Sequence, residues 1–196
     1  MIEYTGIYIE RIPTDMFGTT GEIIGQILGF VAVIIGFISY QMKTPKAILF
    51  FEIMSATVFG THYLFLGEFT GVALNGLMLV QGIVYYIRAR RGKKGFVVPA
   101  IFTCLVLVVG LISWNGPSSI FITVGLAIYS FFIGMSNAQV IRFAMFAKAP
   151  ICLTYNILVF SLGGILYECS VFISSLISTV KHYRKKAVLN QGDDLS

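Results

Sequence analysis

Long apolar stretches separated by short polar turns constrain this chain more than any other feature. A helix needs about 20 mostly apolar residues to cross the hydrocarbon core of a bilayer. Charged residues make up 12% of the sequence, against roughly 25% in soluble domains, and the mean hydropathy is +0.85. We therefore expect an all-α integral membrane protein with seven transmembrane helices, at 22–42, 47–66, 70–87, 96–114, 119–135, 140–160 and 164–180.

Basic residues gather at alternate ends of these stretches. Lys43 and Lys46 follow the first stretch, basic residues within 88–94 follow the third, and further basic residues within 181–186 follow the seventh. The positive-inside rule then predicts an N-terminus outside and a C-terminus in the cytoplasm. The same distribution accounts for the net charge of +5 without nucleic acid. The expected partner is the lipid bilayer, and a homo-oligomer is compatible with these features.

Residues 1–20 have no basic segment before an apolar one, so they do not resemble a cleavable signal. We expect them to form an extracytoplasmic segment. The first helix would then also direct membrane insertion.

Two parts of the chain resemble each other at an offset of 93 residues. Gly71 aligns with Gly164, and Asn75 aligns with Glu168. Seven helices divide into three, one and three, which predicts parallel repeats of the kind found in some transporters. The predicted organisation is a first three-helix bundle at 21–94, an inverting linker helix at 95–116, a second three-helix bundle at 117–186 and a cytoplasmic tail at 187–196.

Polar side chains inside the predicted spans are the candidate site. Ionisable groups there cost roughly 2.5–3.5 kcal/mol each on insertion scales and mostly face the protein interior. Asn75 and Glu168 are expected to face each other across the pseudo-twofold axis and hold a solute, with His62, Tyr155 and Asn156 in the same layer. The alternatives are structural: Asn75 as a bond between helices, His62 as a neutral hydrogen-bonding residue, and Glu168 in a permanent salt bridge.

Two further charged residues lie nearer the predicted cytoplasmic side. Counting the helical rise places Glu52 and Lys148 about 8 and 12 Å from that side. They could form a buried ion pair across the two bundles, because a paired charge is much cheaper to bury than an isolated one. The alternative is that Lys148 extends its ammonium group toward the cytoplasm.

Motifs of catalysis are absent from the sequence. It contains no GxGxxG or GxxxxGK[ST] phosphate loop, no HExxH and no GxSxG. His62 and His182 are predicted on opposite sides of the membrane, and the three cysteines have no metal-ligand spacing. We therefore expect no enzyme activity, no cofactor and no metal site.

The stretches "HYLFLGEFTGVALNG" and "YNILVFSLGGILYECSVFISSLISTVKHYRKK" resemble the YgjV-type bacterial inner-membrane proteins. More distantly, "GFVAVIIGFISYQM" through "YYIRARR" is similar to SemiSWEET or PQ-loop bundles. The 3+1+3 plan resembles SWEET sugar transporters and PnuC-type transporters. In SWEET-like transporters, an asparagine on the third helix of each bundle contacts the sugar. Asn75 matches one such position and Glu168 occupies the other, while Tyr40 stands where the family's motif has proline.

These features together predict a SWEET-like protein of the bacterial cytoplasmic membrane. It would move a small polar solute, which could contain an amine, across the membrane by alternating access. The alternative is a non-transporting scaffold or sensor subunit with the same fold.

Overall fold

The structure, a computed structural model, describes residues 18–93, 95–135 and 137–174. Within these ranges the chain forms seven helices and no strand. The helices are α1 (Gly18–Gln41), α2 (Pro45–Phe65), α3 (Phe69–Arg90), α4 (Val97–Ile112), α5 (Ser119–Ile133), α6 (Ala138–Leu158) and α7 (Leu162–Ser174). The predicted N-terminal segment, the C-terminal end of the seventh predicted helix, His182 and the cytoplasmic tail lie outside the described residues.

Each predicted stretch coincides with a helix, but the helices differ in their ability to span a bilayer. In the described part of the chain, α1, α2 and α3 are long and apolar enough to cross a membrane. The helices α4 and α5 have 16 and 15 residues, which correspond to about 24 and 22 Å of helix. A hydrocarbon core of about 30 Å exceeds both lengths. Seven complete crossings therefore remain a prediction.

Capping side chains fix the starts of α2 and α6. Thr44 accepts a hydrogen bond from the Ala47 amide at 3.3 Å, and Pro45 occupies the first turn. Asn137 accepts one from the Gln139 amide at 2.9 Å. Both caps satisfy amide groups that the helix itself leaves unpaired, which is why these residue types are common at helix starts.

The turns that follow α2 and α6 have the same backbone conformation. Gly67 has φ +71°, and Phe160, 93 positions later, has φ +54°. The amide after each of them donates back across the turn: Glu68 to Tyr63 O and Ser161 to Asn156 O, both at 2.9 Å. The helices before these turns each have 21 residues and begin and end at the same offset.

The helices pack around a common centre. In the first half of the protein, defined as α1 to α3, α2 lies between α1 and α3. In the second half, defined as α5 to α7, α5 packs against α6. The helix α4 lies against α3 and α5, and the two halves meet where α3 touches α5 and α2 touches α6.

The halves also contact each other between α1 and α7. Gly29 and Gly163 approach so closely that a Cβ on Gly163 would collide with the Gly29 backbone. Tyr167 on α7 packs edge-on against Phe59 of α2, with ring centroids 5.0 Å apart. Large apolar side chains such as Ile34 and Leu111 cover the outer surface, 61% and 69% exposed, as expected of a surface in contact with lipid.

Candidate functional site

A cavity lined by both apolar and polar side chains lies between the two halves. Its volume is about 60 Å³, enough for several water molecules when each needs roughly 10–15 Å³. Side chains from α2, α3, α5, α6 and α7 line it. Those with charged or amide groups are Glu52, Asn75, Gln81, Lys148, Asn156 and Glu168.

The ion pair of the cavity joins Lys148 to Glu168. The lysine Nζ lies 3.0 Å from Glu168 Oε1, and the two side chains are 7% and 5% exposed. The rings of Tyr129 and Tyr167 lie against the same ammonium, with centroids at 5.2 and 5.0 Å. A cation near an aromatic face is stabilised electrostatically, and more so when water is excluded.

This pairing corrects the predicted ion pair between Glu52 and Lys148. The carboxylate of Glu52 instead accepts hydrogen bonds from Ser39 at 3.1 Å and from Tyr129 at 2.7 Å. The helical rise gives the depth of the Cα atom only. The lysine side chain is long, so its ammonium can reach a partner several ångströms away from that depth. With both Glu52 oxygens bound to hydroxyl groups, the Lys148 ammonium pairs with the carboxylate of the neighbouring helix α7.

One oxygen of Glu168 lacks a partner. Among the described residues no donor reaches Oε2, which is buried, and Glu168 as a whole is 4% exposed. A buried polar atom without a hydrogen bond costs free energy, and a charged one costs more. Two carboxylates, those of Glu52 and Glu168, and one ammonium, that of Lys148, line the cavity.

Amide and hydroxyl groups form the opposite end of the cavity. The Tyr63 hydroxyl donates to Asn156 Oδ1 at 2.7 Å, and Asn156 Nδ2 donates to Cys152 O at 2.9 Å. Tyr63 and Asn156 are 93 residues apart, so they are equivalent positions under the predicted repeat. The Tyr155 ring lies 5.7 Å from that of Tyr63 and is fully buried.

Asn75 and Glu168 line the same cavity, but no hydrogen bond joins them. The Asn75 side chain donates to Gly71 O, four residues earlier on its own helix, at 2.8 Å. Its carbonyl oxygen and the second hydrogen of its amide nitrogen are thus available to a neighbour or a ligand.

His62 was predicted in this layer, but it does not line the cavity. Its Nδ1 lies 2.7 Å from Gly25 O, and its Nε2 lies 2.7 Å from Ser161 Oγ. Because a carbonyl only accepts, Nδ1 carries the proton and the Ser161 hydroxyl donates to Nε2 in the neutral ring. His62 shares the helical face of Ser55 and Phe59 as predicted, but it lies beyond the end of the cavity, where it bridges α1 and the turn before α7.

Sequence reasoning did not single out Gln81, Tyr129 or Tyr167, which line the cavity. Gln81 and Ser130 are joined by a 2.7 Å bond from the serine hydroxyl to Gln81 Oε1, and Tyr129 contacts both charged groups described above. Gln81 could have been found as an isolated amide within an apolar helix. Nothing in the sequence marks Tyr129 and Tyr167 as cavity residues, because an aromatic residue in a membrane helix usually packs against neighbouring helices or lipid.

No three His, Cys, Asp or Glu side chains of the described ranges lie close enough together to hold a metal ion. Among the charged groups of the cavity, Lys148 pairs with Glu168, whereas Glu52 accepts hydrogen bonds from two hydroxyl groups.

Comparison with known proteins gives one family. A family model described as "Imp-YgjV: Bacterial inner membrane protein" matches residues 23–186. No curated protein and no solved structure matches the chain. Similarity to SWEET and PnuC transporters is therefore not shown.

Proposed function

Because the chain belongs to the Imp-YgjV family of bacterial inner membrane proteins, we propose that it moves a small polar solute across that membrane by alternating access. The observation that carries the proposal is the charged cavity between the two halves. Buried charges in membrane proteins are rare and concentrate where a substrate, ion or proton passes. Here two buried charges, Lys148 and Glu168, and the half-buried Glu52 line one cavity that has room for water.

The proposed architecture is 3+1+3, with α1 to α3 and α5 to α7 as parallel repeats and α4 as the inverting linker. Three features support it: the equal lengths of α2 and α6, their common offset of 93 residues, and the matched turns at Gly67 and Phe160. The charge distribution supports an N-terminus outside. In that orientation, the ends of α2 and α6 near His62 and Asn156 face the outside.

Alternating access requires contacts that can open on one side at a time. On the proposed outer side, Gln26 bonds Phe160 O and the Leu162 amide at 3.0 and 3.1 Å, and His62 bonds Ser161. Each of these bonds joins one half of the protein to the other. Breaking them would open the cavity outward while the inner contacts hold.

A second set of contacts joins the halves on the proposed inner side. Tyr129 donates to Glu52 at 2.7 Å, and Arg142 donates to Met42 O at 3.0 Å. The cavity is too small for a solute in this arrangement, since ligand pockets usually enclose about 300–1,000 Å³. The structure therefore corresponds to a closed state in this mechanism, and a solute would enter only as one set separates.

The Lys148–Glu168 pair also favours a second candidate, a scaffold or sensor subunit that transports nothing. In that reading the pair is a permanent structural salt bridge. A buried pair is costly to break by removing one partner, by about 3–5 kcal/mol. In both readings we propose that the protein is not an enzyme, because the charged cavity groups are one ion pair and a carboxylate bound to hydroxyl groups.

A thermal-shift screen of the purified full chain against small polar metabolites tests the proposal. A ligand present at 100 times its Kd stabilises the native state by about 2.7 kcal/mol. We expect at least one solute to stabilise the wild type and Glu22→Gln, whose carboxylate lies outside the cavity. The same solute should fail to stabilise Glu168→Gln.

A second variant separates loss of binding from loss of folding. Asn75→Ala removes a cavity amide without breaking the ion pair. We expect this variant to retain the wild-type melting temperature within a few degrees but to bind the same ligand more weakly. If no solute stabilises the wild type, or if a hit binds Glu168→Gln and Asn75→Ala equally well, the cavity is not a solute site.

A further inference from the structure

The charges of the cavity do not balance. The charged side chains that line it are Glu52, Glu168 and Lys148, so the ionised forms sum to one negative charge. An isolated charge in a low-dielectric interior is strongly unfavourable and is normally paired. A further positive charge would therefore stabilise this cavity, most at the buried Glu168 and least at Glu52, which is half-buried.

Glu168 offers the open position for that charge. Its Oε1 accepts from Lys148 at 3.0 Å, whereas Oε2 is buried without a donor in the described part of the chain. Glu52 offers no such position, because its two oxygens accept hydrogen bonds from Ser39 and Tyr129.

A metal cation fits this position poorly. It would need several oxygen ligands, and no three acidic, His or Cys side chains of the described residues lie close enough together to supply them. The ammonium of Lys148, 3.0 Å from the other oxygen of the same carboxylate, would repel it. A proton needs only the one free oxygen and a route of water, and the cavity of about 60 Å³ has room for water.

We propose that Glu168 is a proton-binding site that binds one proton at Oε2 and thereby couples proton movement to the transport cycle. The proton forms an O–H bond at Oε2, and the carboxyl group becomes neutral while Oε1 still accepts from Lys148. The cavity then carries no net charge. This inference rests on the proposed function, since it names the coupling ion of the same cavity.

Release of the proton changes the forces between the halves. Glu168 lies on α7 and Lys148 on α6, both in the second half, whereas Glu52 lies on α2 in the first half. With Glu168 ionised, its charge holds Lys148 and adds to the negative potential near Glu52. With Glu168 protonated, the ammonium is attracted mainly to Glu52, across the boundary between the halves. Protonation therefore strengthens an attraction across the boundary along which the halves must separate.

The titratable groups around Glu168 come from four helices. They are Glu52 and Tyr63 of α2, Tyr129 of α5, Lys148 and Cys152 of α6, and Tyr167 beside it on α7. Of the nearest charged groups, Glu52 attracts the proton and Lys148 repels it. Removing Glu52 should therefore weaken proton binding at Glu168, and removing Lys148 should strengthen it.

Infrared difference spectroscopy of the purified full chain across a pH series tests the inference. A protonated carboxyl gives a carbonyl band that moves in deuterated water and disappears as the proton leaves. We expect this band in the wild type and in the control Glu22→Gln, and its loss in Glu168→Gln. Circular dichroism at each pH verifies that every variant remains folded.

Two variants test how each neighbouring charge affects proton binding at Glu168. Glu52→Gln removes the excess negative charge. The band of Glu168 should persist, but Glu168 should bind its proton on the order of tenfold more weakly, which shifts the midpoint of the band by about one pH unit. Lys148→Met removes the ammonium, so the proton should bind more tightly and the midpoint should rise.

Three results would overturn the inference. They are a wild-type carboxyl band that Glu168→Gln leaves unchanged, the lack of any such band in folded wild type, and a midpoint that falls as sodium, potassium or ammonium replaces other salts at constant ionic strength. The last result would assign the positive charge to a cation in place of a proton. None of these results bears on whether a solute binds, so the screen above can succeed while this inference fails.

Discussion

At the scale of single residues, the ion pair between Lys148 and Glu168 explains how an apolar helix keeps a carboxylate. Neither charge is exposed to the lipid, and the rings of Tyr129 and Tyr167 shield the ammonium. The pair satisfies only one carboxylate oxygen, and the cavity keeps one negative charge in excess. A purely structural pair would gain nothing from that excess, and this is the reason for our proposal that the site binds a ligand.

A single residue also tests the equivalence of the two turns. Phe160 has a positive φ that L-residues adopt at a cost of about 1–2 kcal/mol, and its equivalent is Gly67. Phe160→Gly should therefore raise the free energy of unfolding by about 0.5–1 kcal/mol, after the entropy cost of glycine is subtracted. Gly67→Ala should lower it by about 1–2 kcal/mol. Unfolding in mixed detergent followed by circular dichroism measures both, and a destabilised Phe160→Gly would show that contacts of the ring outweigh the backbone strain.

At the scale of helices, apolar length and turn residues were sufficient to predict where each element lies. Thr44, Pro45 and Asn137 mark helix starts through their own chemistry, so α2 and α6 begin within a few residues of the predicted positions. The contacts between helices could not be predicted in the same way. The partner of Lys148 depends on which side chain of α7 or α2 comes within reach of a long flexible chain.

His62 shows the same limit for the candidate site. The helical period correctly placed it on the buried face of α2, but the period does not say where along that face the cavity ends. Gly25 O and Ser161 hold the ring in the boundary between α1 and α7. Such contacts join residues 37 and 99 positions apart, and a helical pattern carries no information about them.

The close contact of α1 with α7 gives a prediction at this scale. A methyl group on Gly163 would meet the Gly29 backbone, which cannot rotate away, whereas Gly76 in α3 has open space around it. Gly163→Ala should destabilise the protein by about 1–3 kcal/mol through overpacking. Gly76→Ala should be neutral or up to about 1 kcal/mol stabilising, because alanine favours helix. Equal effects of the two changes on detergent-induced unfolding would show that the α1–α7 contact is loose.

At the scale of the whole molecule, the two halves enclose a cavity that contains charged side chains, and hydrogen bonds join the halves on both sides of it. The Gln26 and His62 contacts lie on one side, and the Tyr129 and Arg142 contacts lie on the other. A transporter breaks the two sets of contacts alternately, whereas a scaffold keeps both sets intact. The distinction therefore concerns access to the cavity more than its composition.

Cys152 provides a natural reporter of that access. It lines the cavity and is 4% exposed, whereas Cys104 is exposed and Cys169 is half-buried. Replacing Cys104 and Cys169 with serine leaves one thiol, within the cavity, and leaves the charged groups unchanged. A membrane-impermeant maleimide can then be added to right-side-out and to inside-out vesicles, with detergent-denatured protein as the measure of full labelling.

Alternating access predicts that Cys152 is labelled from both sides of the membrane, because each opening exposes the cavity to one aqueous phase. Labelling from neither side, or from one side alone, would contradict the transport mechanism and favour the scaffold.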